Sequence, residues 1–226
     1  MTRPLPPELR EKIAKNLAPV RPVAPPAVRL VLLVCWLLAL LLLVPALVGV
    51  RFNATELGPW LTWGASLAQL LVGGALVYLA LREGIPGLAA PRAVVVASLV
   101  AAGMVEGAVA LLTYARCPCP DAGFFGGVAC WGSETALGIP ALVLTLWLVA
   151  RAYPLSPRRA GLLGGVGAGV AADGVQHLLC PISDLRHVLL WHGGAVVALG
   201  LLGWLVGWLW EWRRLQQWKA ERDSSP

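Results

Sequence analysis

Apolar runs of about 20 residues, most of them closed by arginine or proline, dominate the chain. They lie at about 29–50, 59–81, 93–115, 134–152, 160–180 and 187–210. Each is long enough for an α-helix to cross a hydrocarbon core of roughly 30 Å. A helix satisfies its own backbone polar groups in lipid, and these runs are too long for barrel strands. The pattern predicts an all-α, polytopic membrane protein with six transmembrane helices. Arg29 and Arg51 bracket the first run, Pro59 and Arg82 the second, and Arg92 and Arg116 the third. Ser133 and Glu134 are placed to cap the fourth, which ends at Arg151.

Composition agrees. The chain is 58% apolar and 13% charged, against about 45–50% and 25% in soluble domains, so its apolar excess needs a non-aqueous surrounding. The positions of the charges orient it. Of 18 Lys and Arg residues, only Arg51, Arg116 and Arg186 fall in the first, third and fifth inter-span loops. The rest lie in the N-terminal segment, the second and fourth loops and the C-terminal tail. The positive-inside rule then places both termini in the cytoplasm of a bacterial inner membrane. This asymmetry accounts for the net charge of +6 without direct nucleic-acid binding. No cleavable signal peptide is evident, because the first apolar run follows 28 polar, proline-rich residues. Trp204, Trp208, Trp210 and Trp212 read as an aromatic belt at the inner end of the last span. The layout is an N-terminal segment (1–28), a transmembrane domain (29–212) and a cytoplasmic tail (213–226).

With this orientation, the chain's chemistry gathers outside. All three histidines lie between 177 and 192, beside Cys180. Cys117, Cys119 and Cys130 fall in the third loop, on the same side, while Cys35 reads as an apolar filler of span one. Three uses of this set stay open. The cysteines can form disulfides or a redox-responsive pair in an oxidising compartment, with a link between the two loops, such as Cys130 with Cys180, favoured over the close Cys117 and Cys119. Cys180, His177, His187 and His192 can instead take a transient thiophilic metal ion, although the spacing is not that of a standard zinc motif. The third use is exchange of electrons as a membrane thiol-disulfide oxidoreductase, against which stands the absence of a Cys-x-x-Cys motif. Within the spans, Glu106, Asp173 and Gln176 are polar. Such groups normally face a bundle interior with a partner, as a signal-linked site or as a hydrogen-bond network fixing helix rotation. No acids occupy the inner half of the spans, which disfavours a pump or transporter. Gly161, Gly165 and Gly169 recur at spacing four, which permits close helix approach.

Residues 7–18 predict a short amphipathic helix, with Pro7 in its first turn and Pro19 limiting its extension. Leu9, Ile13 and Leu17 share a face, with Leu5 just ahead. So short a helix is marginal alone in water and gains stability by docking in a groove or on lipid. The prolines of 19–28 make a stiff tether behind it.

Taken together, these parts resemble the negative-regulator-of-sigma-F family of bacterial multi-pass membrane anti-sigma factors. The resemblance rests on the N-terminal helix with Leu17-Ala18-Pro19-Val20-Arg21-Pro22, the six spans, Ala129-Cys130-Trp131 ahead of span four, and His177-Leu178-Leu179-Cys180-Pro181 with His187 and Trp191-His192. It implies a non-enzymatic protein without a resident cofactor. Its cytoplasmic segment (Leu5, Leu9, Ile13, Leu17) would hold an extracytoplasmic-function sigma factor until a signal acts at the outer face. Cys130 and Cys180 match the family's loop cysteines. Cys117 and Cys119 look like local additions.

Overall fold

The structure, a computed structural model, describes residues 6–16, 23–117 and 123–223. All regular structure among them is helical. In order come α1 (Pro7–Asn16), α2 (Pro26–Val48), α3 (Ala54–Pro59), α4 (Ala65–Glu83), α5 (Arg92–Arg116), α6 (Gly123–Ala150), α7 (Pro157–Leu179), α8 (Leu185–His187) and α9 (Gly193–Asp223). Two π-helical turns join elements, Trp60–Gly64 ahead of α4 and Val188–His192 ahead of α9.

α7 is the axis of the bundle. It packs against α4 on one side, α9 on another and α6 on a third, and most of its residues are buried. Glycine makes this possible. A Cβ at Gly161 would overlap the Gly203 carbonyl of α9, and one at Gly165 the Leu199 carbonyl. Toward α4, a Cβ at Gly73 would lie 2.6 Å from the Gly167 carbonyl oxygen. Backbones this close have no room for a side chain, so the Gly161–Gly165–Gly169 stripe serves packing within the chain. Around the axis, Leu37, Leu70, Leu142, Val175 and Leu199 form one core, and Leu33, Leu81, Val149 and Ala160 another nearer the N-terminal end of α7.

Three features depart from the sequence pattern. First, among the described residues, five helical segments are long and apolar enough to cross a membrane: Pro26–Val48, Ala54–Glu83, Arg92–Arg116, Gly123–Ala150 and Leu185–Ala220. α7, expected as the fifth span, is not among them. Its glycines, Asp173, Gln176 and His177 dilute its apolarity, and its neighbours are helices. Second, α6 begins at Gly123, well before the expected start at 134. Ser133 and Glu134 do not cap it; Ser133 donates to Gln176 of α7, Glu134 is buried in the bundle, and Phe124, Phe125 and Val128 extend the helix toward its N-terminus. Cys130 therefore sits within a helix and not in a loop. Third, α9 continues to Asp223 without a break at 212, so the tryptophans lie along a helix that runs into the expected tail.

The end of the bundle away from Cys180 is tied by arginines. Arg29, buried, donates to the Leu148 carbonyl at the end of α6. Glu83, also buried, accepts from the Ala90 N–H (2.9 Å) and from Arg159 (3.2 Å). Arg214 donates to the Pro154 carbonyl and lies over the rings of Tyr153 and Trp210. These contacts bind the α4–α5 and α6–α7 connections to α7 and α9.

Gly165→Ala forces α7 and α9 apart, and overpacking of this kind costs about 1–3 kcal/mol. We expect it to lower the thermal midpoint of detergent-purified protein in a light-scattering melt. Gly103→Ala, where an added Cβ meets nothing within 4 Å, is expected to leave the midpoint unchanged or raise it.

Candidate functional site

At the C-terminal end of α7, polar groups from six elements converge. α7 unwinds at Cys180, whose N–H still bonds to the Gln176 carbonyl (2.8 Å). Beyond it, the Asp184 carboxylate accepts from the N–H groups of Arg186 (2.9 Å) and His187 (3.1 Å). This N-cap fixes where His187 points. The π-helical turn that follows ends on His192. Single π-turns inside helices recur at functional sites because they re-aim a side chain.

The Cys130 and Cys180 sulfurs are 3.4 Å apart, and both thiols are free. His187 Nε2 is 3.7 Å from the Cys180 sulfur, and the rings of His187 and His192 are neighbours, with centroids 5.6 Å apart. One ligand atom from each of Cys130, Cys180, His187 and His192 lies within 4.8 Å of all the others. Behind them, His192 Nδ1 bonds to Asp173 Oδ1 (2.6 Å) and lies 3.3 Å from Glu134 Oε2. The Gln69 amide donates to Asp173 Oδ2 and to Glu106 Oε2 (2.8 Å). Gln176 Oε1 accepts from the Ser133 hydroxyl (3.2 Å). Several buried polar atoms here have no hydrogen-bond partner: both Glu134 oxygens, Glu106 Oε1, Gln69 Oε1 and His192 Nε2. Such orphans are rare and need a reason.

A second set of contacts holds the site closed. Arg51, just after α2, is 4% exposed. Its guanidinium donates to Asn53 Oδ1 (2.7 Å), Ser183 Oγ (2.8 Å) and the carbonyls of Pro181 (3.1 Å) and His177 (3.3 Å). Its N–H bonds to the Leu178 carbonyl (2.8 Å). Arg51 thus satisfies the last carbonyls of α7, which the helix cannot satisfy itself.

The residues singled out in the sequence divide. Cys130, Cys180, His187, His192 and Asp173 meet. His177 does not join them; its Nε2 bonds to the Leu61 carbonyl of the first π-turn (2.7 Å). Asp173 and His177 on α7, and Cys180 at its C-cap, reach different neighbours. Cys117 lies apart from the pair, donating to Glu56 Oε2 (3.1 Å) and accepting from Asn53 (3.4 Å). Leu5, Leu17 and Cys119 lie outside the described residues. Glu134, Arg51, Asn53, Gln69 and Ser183 were not expected. Gln69 carried a signal, being a polar residue alone in an apolar run. Glu134 was masked by its resemblance to a cap, and Arg51 by its place in a loop.

Comparison with known proteins decides the family. The model of the family described as negative regulator of sigma F matches residues 13–212. The chain belongs to this family. Over 77 residues it is 36% identical to the anti-sigma-F factor NrsF of Caulobacter vibrioides (strain NA1000 / CB15N). That match covers 34% of this chain and 36% of the relative, so it spans about a third of the relative's length. No solved structure matches. The family is described by negative regulation of a sigma factor, a regulatory role.

Arg51→Met removes hydrogen bonds from a charged donor, each contributing about 1.5–3 kcal/mol. We expect the segment around Cys180 to open more often and its alkylation by a small maleimide to accelerate roughly ten- to a hundredfold, read by peptide mass spectrometry. An unchanged rate would mean that Arg51 does not hold the site closed.

Proposed function

We propose that the chain is a membrane-embedded anti-sigma factor for a sigma factor of the extracytoplasmic-function class. Six spans cross the bacterial inner membrane with both termini inside, α7 crossing within a collar of the other helices. The cytoplasmic N-terminal segment holds the sigma factor away from RNA polymerase. A redox or metal signal at the outer-face cysteines releases it.

Support for the membrane setting comes from the surface. Large apolar side chains are exposed around the bundle, among them Trp60 (86%) and Leu47 (84%). A surface of this kind belongs against lipid or protein. α7, at 23 residues, is about 34 Å long, enough to cross with the others.

The observation that carries the functional reading is the separation of two parts along α2. At one end, the 3.4 Å thiol pair is backed by histidines and carboxylates. At the other, α1 precedes the N-terminus of α2 and leaves Leu9 and Ile13 both 45% exposed. Aliphatic side chains four residues apart on a short helix suit an apolar groove on a partner. The 23 residues of α2 set the ends about 34 Å apart, so an outer event reaches α1 through helix packing. A two-electron oxidant arriving at the outer face takes two electrons and two protons from the pair and joins the sulfurs. Capture of a soft ion draws them to one centre. Either event acts on α6 against α7, at the axis of the bundle. Moving a two-state equilibrium from 1:99 to 99:1 needs about 5.5 kcal/mol of differential stabilisation, within reach of one metal ion and close to the upper limit of about 5 kcal/mol for one disulfide.

Each aliphatic anchor contributes about 1.5–3 kcal/mol when buried. We expect Leu9→Asp and Ile13→Asp each to abolish co-purification of the sigma factor while the protein still fractionates with membranes. Retained binding refutes α1 as the binding element. Cys130→Ser combined with Cys180→Ser is expected to hold a sigma-dependent reporter at one level whatever the inducer; an unchanged response sinks the switch.

A further inference from the structure

We infer that Cys130, Cys180, His187 and His192 form a tetrahedral site for a zinc-class divalent ion, with Asp173 as the carboxylate that orients His192. The inference deepens the reading of the thiol pair as signal input and depends on that reading only for its biological consequence.

Three observations carry it. The first is size. Zinc takes sulfur at about 2.3 Å and imidazole nitrogen at about 2.0–2.1 Å, so a tetrahedron of two sulfurs and two nitrogens has edges of about 3.8 Å for S···S and about 3.6 Å for S···N. The Cys130 and Cys180 sulfurs are 3.4 Å apart, the Cys180 sulfur is 3.7 Å from His187 Nε2, and no pair among the four ligand atoms exceeds 4.8 Å. Closing on an ion then needs side-chain shifts of at most about 1 Å.

The second is His192. The residue is 4% exposed. Its Nδ1 is taken by Asp173 at 2.6 Å, and its Nε2 has no hydrogen-bond partner. A carboxylate on one ring nitrogen, with the other left bare, is the usual arrangement of a metal-ligating histidine. The carboxylate fixes the tautomer and aims the free nitrogen. The Gln69 amide in turn holds Asp173.

The third is charge. An ion M2+ displaces two protons from the two thiols and leaves them as thiolates, the protons passing to water. With two neutral imidazoles, the ion and its four ligands carry no net charge, and the Asp173 carboxylate behind them is held by His192 and Gln69. A neutral complex is tolerable where an isolated charge costs many kcal/mol. Thiolate and imidazole ligands select zinc, cadmium or cobalt over magnesium or calcium. His177 contributes no ligand, being held by the Leu61 carbonyl.

The test uses the full chain, purified reduced in detergent and carrying Cys35→Ser, Cys117→Ser and Cys119→Ser, so that only the pair supplies sulfur. The metal-free protein is titrated with Co2+, followed by optical absorption, and then with Zn2+, followed by elemental analysis. We expect one ion per chain, intense visible bands of tetrahedral cobalt and a near-ultraviolet thiolate-to-cobalt charge-transfer band, all displaced by zinc. Cys180→Ser should remove the charge transfer from Cys180. Asp173→Asn should keep the spectrum but release the ion to a chelator at roughly 10–100-fold lower concentration. If monodisperse protein binds no ion, the inference is wrong. It is equally wrong if cobalt binds without charge transfer, which would place the ion on Glu134, Asp173 and His192. No sigma factor enters the measurement, so the site can fail while sequestration by α1 stands, and the reverse.

Discussion

The rest of the bundle depends on how closely α7 can be approached. Its glycines let α4 and α9 come to backbone contact on two sides, with carbonyls occupying the space where a Cβ would stand. A close-packed axis has little give, because interiors pack like organic crystals. The end of α7 is therefore held by α4 and α9 through backbone contacts with no room for a side chain.

The same axis explains why so many polar groups can be buried. Asp173, Gln176 and His177 lie on a helix with neighbours on nearly every side, so each finds a partner from a different element: His192 from the second π-turn, Ser133 from α6, Leu61 from the first π-turn. Arg51 closes the arrangement by accepting the burden of α7's last carbonyls and the loop after it. The orphaned oxygens of Glu134 and the bare nitrogen of His192 remain as local frustration. In a family whose members act on a sigma factor, a site with unmet bonding capacity beside a thiol pair is where an external chemical event has most to gain.

Much of the architecture was legible along the chain, and the reasons for the failures are physical. Helix class follows from long apolar runs. α7 was expected as an ordinary span, and its low apolarity reflects burial against helices, where glycine and polar residues are useful. The start of α6 was misplaced because Ser133 and Glu134 have the chemistry of a cap. Whether a carboxylate ends a helix or lies inside a bundle depends on what faces it. Likewise, Cys130 read as a loop residue until the helix containing it was seen to pass through. The pair it makes with Cys180 brings together positions 50 residues apart.

By itself the sequence determined which segments are helices, which chemistry the chain carries and how its basic residues are distributed, since these follow from local composition and hydropathy. Only the tertiary structure decided which thiols and imidazoles meet. His177 and His192 look equivalent in sequence. One bonds to a backbone carbonyl, while the other is held by Asp173 with a ring nitrogen within 4.8 Å of two sulfurs. That difference arises from the rotation of α7 against α4, α6 and α9, which glycine contacts far from either histidine set.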